Sequence, residues 1–175
     1  IIGFAFKISL VPFHSWTPDV YQGAATPVTS IMATAIKVAG FIAFLRFFLY
    51  ADFYDIESDT LVNFMQWLAA ITILVGNIAA IRQENFKRML AYSSIAHSGY
   101  AFMALVTSSF GNDSDGGVAS LMFYLLSYCI MTIGTLALVV VFEKSENTTV
   151  LTTDLKGLGK KSPLLALSLT ILLFS

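Results

Sequence analysis

The sequence has few charges and almost no cysteine. Charged residues make up 12% of its 175 residues, about half the share typical of soluble domains, whereas hydrophobic residues make up 57%. The net charge is −1, so no basic surface indicates nucleic acid binding. The single cysteine, Cys129, excludes an internal disulfide and a cysteine metal cluster. Together these features predict a membrane protein.

Motifs for nucleotide, metal and hydrolytic chemistry are also missing. The sequence contains no Gly-rich phosphate loop, no CxxC or His/Cys ligand spacing and no nucleophile elbow. It therefore predicts no cofactor-binding site and no metal site. Any electron carriers are expected in other chains.

What the sequence does contain is long apolar segments. Four are long enough to cross a bilayer, at about 27–50, 61–81, 86–108 and 118–142. The shorter apolar runs within 1–22 and 163–175 predict partial spans, and with the absence of an initiator Met they suggest an internal fragment of a longer chain. Backbone groups in lipid must be satisfied internally, which favours helices. The prediction is an all-α integral membrane protein, a multi-span helical bundle forming a single membrane domain over 1–175.

Charges between the spans predict an orientation. The loop 51–60 and the loop around Asp113 carry only acidic charges, which places both on one side. By the positive-inside rule the alternating loops are cytoplasmic. Their basic residues are Arg82, Lys87, Arg88, Lys144, Lys156, Lys160 and Lys161. The polar connection 14–26 is then cytoplasmic as well.

Lys37 lies near the middle of the first complete span. An ammonium at the bilayer centre costs about 2.5–3.5 kcal/mol on insertion scales, so such residues usually face a bundle interior and mark ion or proton pathways. The alternative is a structural lysine that donates to backbone carbonyls. The proton pathway is favoured because few charges within membranes are structural.

Lys7 precedes Pro12 in the string FKISLVPFHSWTPDV. Proline removes an amide donor and clashes with the preceding turn, which predicts a proline-broken transmembrane helix. Broken helices in transporters commonly line polar cavities and binding sites. The alternative is an ordinary kink, with Lys7 reaching toward an interface.

His97 lies near the centre of 86–108, with Ser93 one turn before it, Ser94 nearby and Tyr100 one turn after it. Imidazole can relay protons, and hydroxyl groups can organise a water chain. A simple hydrogen bond to a neighbouring helix is the alternative. The next span carries a weaker polar face, interpreted as packing contacts: Tyr124, Ser127, Tyr128 and Thr132.

Lys87 and Arg88 begin the same span, and on position alone they are interpreted as an orientation signal or as snorkelling residues. His14 and Asp19 flank the predicted break. For these two, a proton entrance and an interface anchor stay open as alternatives.

Two strings carry a specific resemblance: FKISLVPFHSWTPDVYQGAATPVTSIMATAIK and NFKRMLAYSSIAHSGY. They resemble the antiporter-like membrane subunits of respiratory complex I, the NADH-quinone oxidoreductase, and among these the bacterial N-subunit family. The resemblance extends over essentially all 175 residues, including DLKGLGKKSPLLALSL near the end.

The resemblance implies roles for particular lysines. Lys7 corresponds to the family lysine before the LVPFH break, Lys37 to the lysine of the next span, and Lys87 to a third family lysine, which favours a relay role. In this family the lysines form a hydrated proton path, and no electrons pass through the subunit. Two family elements are missing, namely the glutamate that partners the broken-helix lysine and the lysine of a second broken helix.

The resemblance also implies a setting. It implies a multi-pass protein of the bacterial inner membrane, with the lipid bilayer, protons and other complex I membrane subunits as partners. NAD, FMN, iron-sulfur clusters and quinone are expected in the parent complex and not in this chain.

The resulting hypothesis is that Lys7 and Lys37 exchange a proton as hydration or the neighbouring charge changes, and so couple quinone reduction elsewhere to proton pumping. The alternatives are a cation/proton antiporter subunit of the same fold and a structural membrane scaffold subunit.

Overall fold

The fold is all-α, as predicted. The structure is a computed structural model that describes residues 2–50, 58–110, 114–143 and 150–174, and within these ranges its only extended pairing is an isolated bridge between Asn85 and Leu151. The helices are α1 (Ile2–Lys7), α2 (Trp16–Gly23), α3 (Thr26–Tyr50), α4 (Ser58–Ile81), α5 (Phe86–Phe110), α6 (Ser114–Phe142), α7 (Leu158–Lys161) and α8 (Pro163–Phe174). The predicted acidic loop segments 51–57 and 111–113, and Lys144, lie outside the described residues.

Three of the four predicted spans coincide with helices long and apolar enough to cross a membrane. Among the described residues these candidates are Thr26–Tyr50, Thr60–Ile81 and Gly116–Phe142. The fourth predicted span, 86–108, corresponds to α5, which has 25 residues but is more polar and is not among the candidates. Its crossing of the bilayer stays a prediction.

The polarity of α5 reflects its central position in the bundle. This helix contacts α4, α6, α2 and α3. Its residues Phe102 and Leu105 are buried in the main hydrophobic cluster together with Phe41 and Phe44 of α3 and Leu121 of α6. A helix surrounded by other helices faces protein rather than lipid, so it can carry polar side chains that find partners within the bundle.

The predicted break separates α1 from α2. Helix α1 ends at Lys7, the chain continues without α-helix through 8–15, and α2 begins at Trp16. Ser9 has a φ of 64°, in the left-handed region that residues other than glycine seldom adopt. With Pro12 inside the same segment, the backbone cannot continue the α-helix.

Three hydrogen bonds give groups around the break partners within the protein. The bonds run from Trp16 Nε1 to the Phe6 carbonyl at 3.2 Å, from Thr17 Oγ1 to Ser9 Oγ at 2.7 Å, and from the Val11 amide to Thr72 Oγ1 at 3.2 Å. Non-helical backbone at membrane depth requires such partners, because unsatisfied polar groups are costly there. The break is therefore an ordered element of the fold.

The segments that precede α5 and follow α6 meet at one end of the bundle. The Phe86 amide donates to the Val150 carbonyl at 2.9 Å, and the Thr152 amide donates to the Glu84 carbonyl at 2.8 Å. The two connections with the predicted cytoplasmic basic residues are thus neighbours, as a common side of the membrane requires.

Helices α4 and α5 approach closely at Gly76. A Cβ added to Gly76 would lie 2.6 Å from the amide nitrogen of Ala96 and 3.0 Å from its Cβ, closer than side chains pack in proteins. Glycine at this position lets the two backbones come together, as small residues do in membrane helix pairs.

We expect Gly76→Ala to destabilise the full-length protein by about 1–3 kcal/mol, because the added methyl group forces α4 and α5 apart. Thermal unfolding of the detergent-extracted protein measures this effect. Gly159→Ala is the matched control, since a Cβ there meets nothing within 4 Å. An equal melting temperature for the two variants would contradict the close approach.

Candidate functional site

Lys37 follows a local change in the winding of α3. Residues Met32–Ile36 form a π-helical turn, and regular α-helix resumes at Lys37. Single π-turns inside α-helices are frequent at functional sites, because they redirect the side chains that follow. The Lys37 side chain is only 2% exposed, so it is enclosed by the bundle.

The Lys37 ammonium uses all three of its donors on α5. Its Nζ donates to Ser94 Oγ at 2.6 Å, to Ser98 Oγ at 2.9 Å and to the Ser94 carbonyl at 2.9 Å. The two ion pairs formed among the described residues do not include Lys37. A buried charge is therefore held by neutral groups alone.

A second layer of hydroxyl contacts extends from this group toward α6. Ser94 Oγ lies 2.7 Å from Tyr128 Oη, and Ser98 Oγ donates to the Ser94 carbonyl at 2.9 Å. A hydroxyl both donates and accepts, so it can hydrogen-bond an ammonium or a neutral amine by rotating its proton. The arrangement can thus accommodate Lys37 with or without its extra proton.

His97 belongs to the same side of α5. Its Nδ1 lies 2.7 Å from Tyr124 Oη, and its ring is 5.3 Å from the ring of Tyr128 and 6.2 Å from that of Tyr100. Tyr128 of α6 therefore contacts both Ser94, which accepts from Lys37, and His97, whereas Tyr124 hydrogen-bonds His97. No direct hydrogen bond between Lys37 and His97 is found among the described residues.

A cavity of about 50 Å³ lies next to these side chains. It is lined by Tyr21, Ala33, Leu90, Ser93, Ser94, His97, Tyr128, Met131, Thr132, Thr135, Leu136 and Leu173. The Tyr21 hydroxyl is buried and has no hydrogen-bond partner among the described residues. Buried polar atoms almost always have a partner, and a cavity of this size that is lined in part by hydroxyl and imidazole groups has room for water. A smaller space of about 10 Å³ adjoins Lys37, His97 and Tyr124.

Lys7 occupies a different place from Lys37. Its side chain is exposed in an open groove between α1 and α3, lined by Gly3, Phe4, Ile36, Ala39, Gly40 and Ala43. These α3 residues centre on a face about 100° around the helix from Lys37. A Cβ added to Gly40 would lie 2.9 Å from Ile8 Cγ2, so the residue that follows α1 packs tightly against α3. The structure does not bring Lys7 and Lys37 into contact.

Lys87 is held by an acidic partner. Its Nζ lies 3.2 Å from Glu143 Oε1, and the two side chains are 7% and 12% exposed. It also donates to the Ala24 carbonyl at 3.1 Å and to Thr26 Oγ1 at 3.3 Å. Lys87 thus lies at the end of the bundle and does not line the cavity.

Two other predicted polar residues lie near the break. Asp19 accepts a hydrogen bond from Arg88 at 2.6 Å on the exposed surface of α2. His14 follows Pro12, and its buried Nδ1 has no partner in the described part of the chain. Neither residue reaches the Lys37 group. In the same ranges, no three His, Cys, Asp or Glu side chains are grouped to hold a metal ion.

Several members of the site were not singled out by sequence reasoning. The predicted polar stripe around His97 emphasised Ser93 and Tyr100, whereas the contacts to Lys37 come from Ser94 and Ser98. The four-residue spacing of these serines, which places both on one face of a helix, was the available signal. The sequence predicts packing contacts for Tyr124 and Tyr128, and in the structure their hydroxyls also bond His97 and Ser94.

Comparison with known proteins agrees with the resemblance noted in the sequence. A family model described as NADH:quinone oxidoreductase/Mrp antiporter, transmembrane, matches residues 1–175. NADH-quinone oxidoreductase subunit N of Bdellovibrio bacteriovorus is 53% identical over 175 residues, which are 100% of this chain and 36% of that protein. The chain therefore spans about a third of the length of such relatives.

Chains of known structure have a fold similar to that of this chain. A chain of respiratory complex I from Thermus thermophilus with bound aureothin superposes with a TM-score of 0.73 at 42% identity, covering 95% of this chain and 34% of that one. A chain of the archaeal membrane-bound sulfane sulfur reductase superposes with a TM-score of 0.83 at 32% identity, covering 97% and 34%. A similar fold thus occurs in a respiratory complex I and in an archaeal sulfane sulfur reductase complex.

We expect Ser94→Ala to destabilise the protein by about 1–3 kcal/mol, because it removes one of the three acceptors of the buried Lys37 ammonium and the hydroxyl that contacts Tyr128 Oη. Thermal unfolding of the full-length protein measures the loss. Ser168→Ala is the control, since that exposed hydroxyl bonds only the Leu164 carbonyl of its own helix. Equal melting temperatures for the two variants would mean that Lys37 does not depend on Ser94.

Proposed function

The chain belongs to the transmembrane family shared by NADH:quinone oxidoreductases and Mrp antiporters, and from that premise we propose that it is a proton-translocating segment of subunit N of NADH-quinone oxidoreductase. In this proposal the subunit lies in a bacterial inner membrane beside other membrane subunits. Those partner subunits hold NAD, FMN, iron-sulfur clusters and quinone and carry the electrons. This chain contributes proton movement through buried lysines.

The proposal rests on the hydrogen-bond partners of Lys37. Two serine hydroxyls and one carbonyl accept from its ammonium, and no carboxylate neutralises it among the described residues. A carboxylate can only accept, so it favours the charged lysine, whereas hydroxyls can serve the charged and the neutral form alike. The second kind of environment suits a residue that repeatedly releases and regains a proton.

The proton path proposed for this segment follows the polar side chains between α5 and α6. It runs from Lys37 through Ser94 to Tyr128 and the water-sized cavity, and from there to His97. Water in this cavity would give the buried Tyr21 hydroxyl a partner and would join these groups. Imidazole accepts a proton on one nitrogen and donates from the other, which suits His97 to a relay.

Lys7 is proposed to exchange a proton with Lys37 across α3. Two ammonium groups repel each other in a medium of low dielectric constant, so the loss of a proton from one favours protonation of the other. Lys7 lies in a groove on a different face of α3 from Lys37, and the two side chains are not in contact. The transfer therefore requires water or a rearrangement of α1 relative to α3.

Two alternative functions predict different roles for the same lysines. A cation/proton antiporter subunit is suggested by the shared family and would show sodium-dependent proton exchange in vesicles without NADH. A structural scaffold subunit would use Lys37 only to bind α3 to α5, and substitutions would harm assembly before pumping. The hydroxyl partners of Lys37 favour proton transfer over the scaffold role.

We expect Lys37→Ala in the full-length gene to lower NADH-driven proton pumping at least about tenfold, since a positioned proton-transfer group commonly accelerates its step about a hundredfold or more. Proton uptake by inverted membrane vesicles measures pumping, with quinone reduction and complex assembly recorded in parallel. Lys37→Met tests the same loss while nearly preserving side-chain volume. The control is Lys156→Ala, which removes an exposed lysine.

The outcomes separate the candidates. Loss of pumping in an assembled complex supports the proton path, and loss of assembly in both Lys37 variants supports the scaffold. Normal pumping in an assembled Lys37→Met complex would show that this lysine carries no protons.

A further inference from the structure

In the ion pair between Lys87 and Glu143, each charge lies at the helix end that disfavours it. Lys87 is the second residue of α5, where the helix dipole disfavours a cation, and Glu143 follows α6 directly, where it disfavours an anion. Each charge would be better placed at the opposite end of its helix. Their mutual contact offsets this unfavourable placement, so the pair needs an explanation other than the stability of either helix alone.

The contacts show what the pair connects. Thr26 Oγ1 donates to Glu143 Oε1 at 2.6 Å and accepts from Lys87 Nζ at 3.3 Å, while the Ala24 carbonyl accepts from the same Nζ at 3.1 Å. We call Lys87, Glu143, Thr26 and Ala24 the end cluster. It joins the start of α5 and the end of α6 to the junction between α2 and α3, and it matches the three donors of the ammonium with three acceptors.

An apolar layer separates the end cluster from the cavity beside Lys37. The layer consists of Tyr21, Ala33, Ala91 and Leu136, with Met32 and Leu90 packed against it. On α5 these residues lie one turn beyond Lys87 and one turn before Ser94, so the layer is a single helical turn thick. Helix α2 supplies Tyr21 to this layer, and the junction that follows α2 is held by the end cluster.

We propose that Glu143 is a positioning residue that acts through Lys87 and Thr26. By holding the α2–α3 junction against α5 and α6, it keeps the apolar layer closed and controls the access of water to the cavity beside Lys37 from the Lys87 end. The inference rests on the proposed function only in taking that cavity as part of the proton path.

A second ion pair between α5 and α2 provides an internal comparison. Arg88 donates to Asp19 at 2.6 Å, but the two side chains are 31% and 71% exposed. Exposed pairs contribute little to stability, whereas removing one partner of a buried pair leaves an uncompensated charge inside the protein. Both pairs start from the first turn of α5, but Lys87 pairs with the residue after α6 and Arg88 pairs with α2. Because only the first pair is buried, we expect the two pairs to have different effects on the cavity.

The test measures how fast a water-soluble reagent reaches the cavity. Thr135 is buried, lines the cavity and bonds only the Met131 carbonyl of its own helix among the described residues, so Thr135→Cys places a thiol in the cavity without breaking the network. The full-length subunit in its assembled complex, with Cys129 and other cysteines replaced, is treated with a charged methanethiosulfonate reagent in membrane vesicles. The rate of thiol modification is recorded in the absence of NADH.

We expect Glu143→Gln and Thr26→Val to raise the modification rate at least about tenfold, because each lowers the free energy of local opening. The control Asp19→Asn should stay within about twofold of the parent. Exchanging the charges, with Lys87→Glu and Glu143→Lys together, should slow modification again relative to Glu143→Gln. Such rescue by a reversed pair reports the ion pair itself rather than either residue.

An unchanged modification rate in the assembled Glu143→Gln complex would overturn the inference. If that variant does not assemble, Thr26→Val decides, since it keeps both charges and removes only the bridging hydroxyl; an unchanged rate there would also overturn it. Because labelling needs no turnover, a failure of the proton-pumping proposal would leave this result intact, and the reverse also holds.

Discussion

A lysine ammonium enclosed among helices has three N–H donors that bulk water cannot reach, and each must find an acceptor within the bundle. At Lys37 all three acceptors come from one turn of α5, through Ser94 and Ser98. This requirement explains why α5 is the most polar of the long helices and why it lies at the centre. A helix that supplies partners to a buried charge cannot face lipid on that side.

The need of buried polar groups for hydrogen-bond partners also explains how the rest of the site is arranged. Ser94 serves Lys37 and Tyr128 together, and Tyr128 places α6 beside His97. The polar groups therefore form a band across three helices, bounded by the aromatic cluster around Phe44 on one side and by the apolar layer around Leu136 on the other. Within this band each hydroxyl has a role in holding the helices together as well as a role in the proposed proton path.

Much of this arrangement was predictable from the sequence, and the remainder follows from contacts that a single sequence does not specify. Hydropathy and length placed the long helices to within a few residues, and the depth of Lys37 in its span indicated a buried charge. Depth, however, does not indicate which neighbouring helix supplies the partners, so Ser94 and Ser98 were not distinguished from Ser93. Glu143 is separated from Lys87 by more than fifty positions and follows a different span, so only the packed structure joins them.

The close contact of Gly76 with Ala96 bears on how the bundle can move. Because the backbones of α4 and α5 already touch there, sliding or rotating one past the other would produce clashes. We therefore expect α4 and α5 to move together, and α5 carries the acceptors for Lys37. The π-turn directly before Lys37 is then the place where α3 can change its winding without separating α4 from α5.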